Sequence, residues 1–124
     1  MAEEIRNYRD LIVWQKACDL AETVYLKTRS FPKEESYGLT SQTRRAAVSV
    51  AANIAEGAGR FGATEYRHFV SVPRGSLAEL RTLLELSFRF GYLREDVTQK
   101  LHSDVDEIDS MLCVLHRRLG QPRN

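Results

Sequence analysis

Apolar residues recur every three or four positions through most of this chain, in four runs separated by proline, glycine and polar breaks. In the first run Leu11, Trp14, Ala17, Cys18, Ala21, Val24, Tyr25 and Thr28 form one stripe, which predicts a helix over about residues 10–29. Phe31-Pro32 ends it, because the residue before a proline avoids the α region. The second run begins near Leu39 and ends at Gly57, predicting a helix over about 39–57. The third covers about 64–90, with Thr64 as N-cap and Gly91 as stop. Pro73 lies inside it, removes the hydrogen bond to the Phe69 carbonyl, and predicts a kink or a loosened turn. In the fourth, about 95–119, Val97, Leu101, Val105, Ile108, Leu112, Leu115 and Leu119 repeat on one face before Gly120 and Pro122.

No segment alternates in the manner of a strand and closes on a hairpin turn. Four amphipathic helices with short connections therefore predict an all-α fold. The arrangement expected is an antiparallel, up-down-up-down four-helix bundle in a single domain of residues 1–124. The third helix carries more apolar positions than one core stripe needs. Val70, Leu77, Leu86, Phe88 and Phe90 spread around its axis, and a second copy of the chain is the simplest partner for that surplus. Self-association is expected.

Composition narrows the function classes. Apolar content of 43% and charged content of 28% are ordinary for a globular domain. No apolar run approaches the roughly 20 residues of a membrane helix, and the amino terminus lacks the apolar core of a secretory signal. A cytoplasmic protein without membrane attachment is expected, with Cys18 and Cys113 as two buried, reduced thiols. Net charge is only +1, yet the cations are 14 Arg against 4 Lys. Arginine suits bidentate phosphate contacts and intersubunit ion pairs equally, so the bias by itself leaves both open.

The candidate chemistry gathers around Arg44–Arg60, RRAAVSVAANIAEGAGR. Asn53 and Glu56 sit three apart on one face of an alanine-rich helix. With Arg74, Ser76 and Glu79 of the third helix they form a candidate polar network, partly buried and therefore paired. A ligand pocket at Glu56 and Glu79 is the sharper alternative, but no nucleophile, oxyanion donor or metal-ligand set accompanies them. Arg67, Arg74 and Arg81 fall at seven-residue spacing, and with Arg44, Arg45 and Arg60 they make a candidate strip for a phosphate backbone. The competing reading is a solvated face, with Arg81, Glu85 and Arg89 as an i, i+4 ladder. Glu65 and His68 form a single Glu-x-x-His, whereas a di-metal bundle site uses two plus two further glutamates. Neither metal nor cofactor is expected, and the chain reads as a non-enzyme.

Tyr8–Ala17 (YRDLIVWQKA), Phe31–Arg60 (FPKEESYGLTSQTRRAAVSVAANIAEGAGR), Arg74–Leu80 (RGSLAEL) and Phe90–Leu93 (FGYL) together resemble the bacterial 23S rRNA intervening-sequence protein family, also called the S23 ribosomal protein family. The resemblance spans about residues 8–119. It implies a small antiparallel helical bundle that assembles into a ring-like homopentamer, with no assigned enzymatic activity. A related branch, the accessory protein of diversity-generating retroelements, implies nucleic-acid binding; the near-neutral charge of this chain departs from that basic branch. The family often carries Pro-Ser where this chain has Ala51-Ala52, and a non-proline residue at Pro73. The function expected is a homo-oligomeric bundle that binds RNA or DNA through arginines of the second and third helices. The alternative is a scaffold that recruits a partner protein.

Overall fold

The computed structural model describes residues 8–58 and 63–120, with backbone alone at 10, 63–69 and 118–120. Its described residues are all-α, without a strand. The helices are α1 (Ile12–Lys27), α2 (Leu39–Ala58), α3 (Ala63–Arg89) and α4 (Glu95–Gly120). Short 3-10 turns at Tyr8–Asp10 and Thr28–Ser30 account for the ends of the longer first helix that periodicity predicts. α1 packs on α2, α2 on α3, α3 on α4, and α4 back on α1, so the four enclose one core.

That core is built from one seam per helix. α1 contributes Val13, Ala17, Leu20 and Val24, and α2 contributes Ala46, Ala47, Val50 and Ile54. Leu77, Leu80 and Leu84 come from α3, and Leu101, Val105, Ile108 and Leu112 from α4. Each buried leucine or isoleucine is worth on the order of 2 kcal/mol of transfer free energy. Alanines on α2 let its neighbours approach closely, which is why this helix tolerates so few large side chains on its inner face.

The α1 seam corrects the sequence expectation. The single stripe read there is two stripes, offset around the axis by the 3.6-residue turn. Positions 13, 17, 20 and 24 enter the core, whereas Leu11, Trp14, Cys18 and Ala21 are only partly buried and Tyr25 is exposed. The surplus read on α3 is largely absorbed, because Val70 and Leu77 are core residues and Leu86 and Phe88 are half-buried. Phe90, the fifth position of that surplus, stays exposed, and further apolar surface lies on α1 and α2, at Ile12, Leu26 and Val48 and along a shallow groove between Trp14, Cys18 and Ala21 and the alanines at 51, 52 and 55. The two cysteines are free thiols, half-buried rather than buried.

Pro73 does not end α3. The helix is continuous through it, and the ring is fully buried, so packing against the core holds the turn that the missing hydrogen bond would loosen. α3 stops at Gly91, the position with φ +84°. The Tyr92 N–H donates to the Ser87 carbonyl at 2.8 Å and the Gly91 N–H to the Phe88 carbonyl at 2.9 Å, the paired bonds of a Schellman motif. Tyr92 is thereby aimed at the α1–α2 connection. Its hydroxyl donates to Glu35 Oε2 at 3.0 Å, while Glu35 Oε1 accepts from the Leu39 N–H at the start of α2. One carboxylate thus caps a helix and ties two connections together.

Candidate nucleic-acid interface

Phosphate attracts cations that the protein has not already neutralised, so the deciding question is which arginines carry an internal acidic partner. Along α3 every arginine whose side chain is described has one. Arg74 Nε donates to Asp109 at 2.8 Å, and Arg81 Nη2 donates to Asp106 at 2.6 Å and lies 4.0 Å from Asp109. Farther along, Glu85 accepts from Arg89 at 2.9 Å and approaches His102 at 3.8 Å. As numbering rises on α3 through 74, 81 and 85, the partners on α4 fall through 109, 106 and 102. The hydrogen bond that Arg74 donates to Asp109, then the charge of that carboxylate, holds the Arg74 guanidinium even above its ordinary range. The predicted Arg81–Glu85–Arg89 ladder is half made, because the closer Asp106 takes Arg81.

The corner between α1 and α2 is different. Arg44 Nε donates to Thr28 Oγ1 at 2.8 Å and its Nη2 to the Tyr25 carbonyl at 3.3 Å. Its guanidinium carbon stands 4.2 Å from the centre of the Tyr25 ring, and that of Arg29 stands 5.3 Å from the same ring. Two cations therefore share one aromatic side chain, in cation–π contact. Arg45 is exposed on the next position of α2. None of Arg29, Arg44 and Arg45 has a carboxylate partner among the described residues. Residues 27–45 hold five Lys and Arg against two Glu, while residues 95–120 hold six Asp and Glu against three Lys and Arg.

The predicted site residues are thus divided. Arg44 and Arg45 share the α1–α2 corner; Arg74 and Arg81 lie on the α3–α4 seam. Arg60 lies outside the described residues, and so does the side chain of Arg67, whose backbone is in α3. The polar network also comes out smaller than expected. Ser49 and Ser76 hydroxyls are 3.0 Å apart across α2 and α3, and Asn53 Nδ2 donates to Ser49 Oγ and to its carbonyl, both at 2.8 Å. Arg74 turns away to α4, and Glu56 and Glu79 are exposed. Ser49 is the hub that sequence reading missed, although its place four residues before Asn53 was a usable signal. The Tyr25–Arg29 pair, also four apart, signals the corner in the same way, although Tyr25 reads as part of the apolar stripe of the first helix.

An open cavity of about 250 Å³ lies between α1 and α4; four of its charged side chains pair with one another, Lys16 3.2 Å from Glu107 and Lys100 with Asp104, and Asp19 also lines it. No group of three metal-ligating side chains forms among the described residues. No helix among them is long and apolar enough to cross a membrane.

Comparison with known proteins gives the same architecture. The model of the family described as 23S rRNA-intervening sequence protein matches residues 9–114. The fold is similar to the 1.70 Å crystal structure of a protein of unknown function from the S23 ribosomal protein family of Bacteroides thetaiotaomicron. The TM-score is 0.77 at 20% identity, over 86% of this chain and 96% of that one. No curated protein matches the chain by sequence. Neither the family description nor that structure indicates an enzyme.

Proposed function

Because this chain belongs to the 23S rRNA-intervening sequence protein family, we propose that it is a non-enzymatic, homo-oligomeric bundle that binds RNA or DNA through its uncompensated arginines. One observation carries the reading: among the described residues Arg29, Arg44 and Arg45 stand without carboxylate partners at one corner, while Arg74 and Arg81 are neutralised by α4 and Arg89 by Glu85. Arg44 is held by Thr28 and Tyr25, so little side-chain freedom is lost when its guanidinium meets a phosphate. Arg60 and Arg67 are further candidates by residue type and spacing; Arg74 and Arg81 contribute only by giving up an internal ion pair. The bundle is of the antiparallel up-down-up-down kind, works in the cytoplasm, and assembles as a ring, a pentamer in the family's manner. The Asn53–Ser49–Ser76 contact serves to hold α2 and α3 in register.

The test is fluorescence anisotropy with labelled RNA and DNA across salt concentration. Binding is expected to weaken steeply with salt, and Arg44→Ala or Arg45→Ala to lower the salt slope by about one each. Absence of any binding at low salt overturns the reading. A second reading, a scaffold that recruits a partner protein, is favoured by the apolar α1–α2 groove lined by Trp14, Cys18, Val48 and Ala52. A complex that survives nuclease treatment would support it.

A further inference from the structure

The end of the molecule where α1 gives way to α2, and α3 to α4, displays aromatic rings that the fold does not use. Tyr37, two residues before α2, is 99% exposed, and Phe90, just past α3, is 55% exposed. They belong to one end. The Phe90 ring lies 6.1 Å from that of Tyr92, which lies 5.4 Å from Phe31 and donates to Glu35, two residues before Tyr37. Tyr25, 48% exposed and flanked by Arg29 and Arg44, adjoins the same connection through Thr28. Single apolar side chains scattered over a surface mean little. Aromatic rings interleaved with unneutralised arginines at one end are another matter, because that combination offers flat apolar faces beside positive charge. Glu35 keeps its charge there, because its donors, the Tyr92 hydroxyl and the Leu39 N–H, are neutral, but five Lys and Arg against two Glu over residues 27–45 leave the connection positive.

Resting on the nucleic-acid reading above, we propose that this end receives the unpaired bases of a single strand, with Tyr37 and Phe90 as stacking faces and Arg29 and Arg44 on the adjoining phosphates. A paired helix buries its base faces in its own stack and offers the rings nothing, whereas every unpaired base presents a π-face. Tyr37 and Phe90 are therefore specificity residues for strandedness, and the arginines supply strandedness-independent affinity.

The experiment compares a labelled oligouridylate of about twelve nucleotides with a blunt RNA duplex of the same length, at low salt. Tyr37→Ala and Phe90→Ala are both surface changes, checked for folding by thermal melting. Each is expected to weaken oligouridylate binding roughly five- to hundredfold, to leave the salt slope and the duplex affinity unchanged, and to be rescued by Tyr37→Trp or Phe90→Trp. If wild-type protein binds both ligands with a steep salt dependence that the ring substitutions do not touch, this inference falls and the arginine reading stands. If neither ligand binds, both fall.

Discussion

The α3–α4 seam and the α1–α2 corner contain similar numbers of arginines and put them to opposite use. On the seam, Asp106 and Asp109 meet Arg81 and Arg74, so charge is consumed inside the molecule. At the corner the guanidiniums of Arg29 and Arg44 rest on Tyr25 and on neutral oxygens, which orient them without cancelling their charge. An arginine count, or a net charge of +1, averages over these two regions and conceals the difference. What matters for an anionic partner is whether the contacts that position a cation are themselves charged.

The bluntest way to break the comparison is to remove the frame that both regions share. Leu80 is fully buried on α3, and Leu80→Ala is expected to lower unfolding free energy by about 2–5 kcal/mol, read by chemical denaturation. Seam and corner should then be lost in the same transition. Reversing charge sharpens the contrast without that cost. Arg44→Glu with Arg45→Glu should reduce RNA affinity at least roughly tenfold at low salt, while Arg74→Glu changes it by less than about twofold. Equal effects at the two places would erase the distinction.

A smaller effect separates them in stability. The Arg74 and Asp109 side chains are 44% and 23% exposed, so a double-mutant cycle should return a coupling of about 0.5 kcal/mol after solvent screening. Arg45, with no carboxylate partner, should return none with any described acid. The smallest is a pH effect at the junction of the two connections. The hydrogen bond to Glu35, then partial burial, raises the Tyr92 hydroxyl above its ordinary value of 10.0. The folded state therefore holds that proton more tightly than the unfolded chain, so the contribution is complete below pH 10 and lost as pH rises through the raised value. Tyr92→Phe should flatten the alkaline limb of a stability–pH curve; an unchanged limb would remove Glu35 as the cause.

Helix type and number were legible because apolar spacing along α2, α3 and α4 is regular and glycines punctuate it. The core of α1 was less so. Trp14, Cys18 and Tyr25 are apolar in composition, and nothing in a linear pattern separates a core stripe from a flanking one when both have helical spacing. The site was legible in residue type but not in partnership. Arg74 and Arg81 look no different from Arg44 and Arg45 until α4 is folded beside them, since Asp106 and Asp109 lie about thirty positions away in sequence. Exposure of Tyr37 was equally hidden, because it adjoins an element boundary where apolar residues ordinarily turn inward, whereas Phe90 already stood among the apolar positions beyond one core stripe.

The two thiols give the molecule an unplanned footprint. Cys18 opens onto the α1–α2 groove, and burial, then the charge of Asp19, raises its pKa. Cys113 lies near Arg74 on the seam. Alkylation kinetics therefore report on two surfaces at once. If copies of the chain cover the groove, dilution should quicken modification of Cys18 while Cys113 keeps its rate, so assembly can be timed without attaching any label.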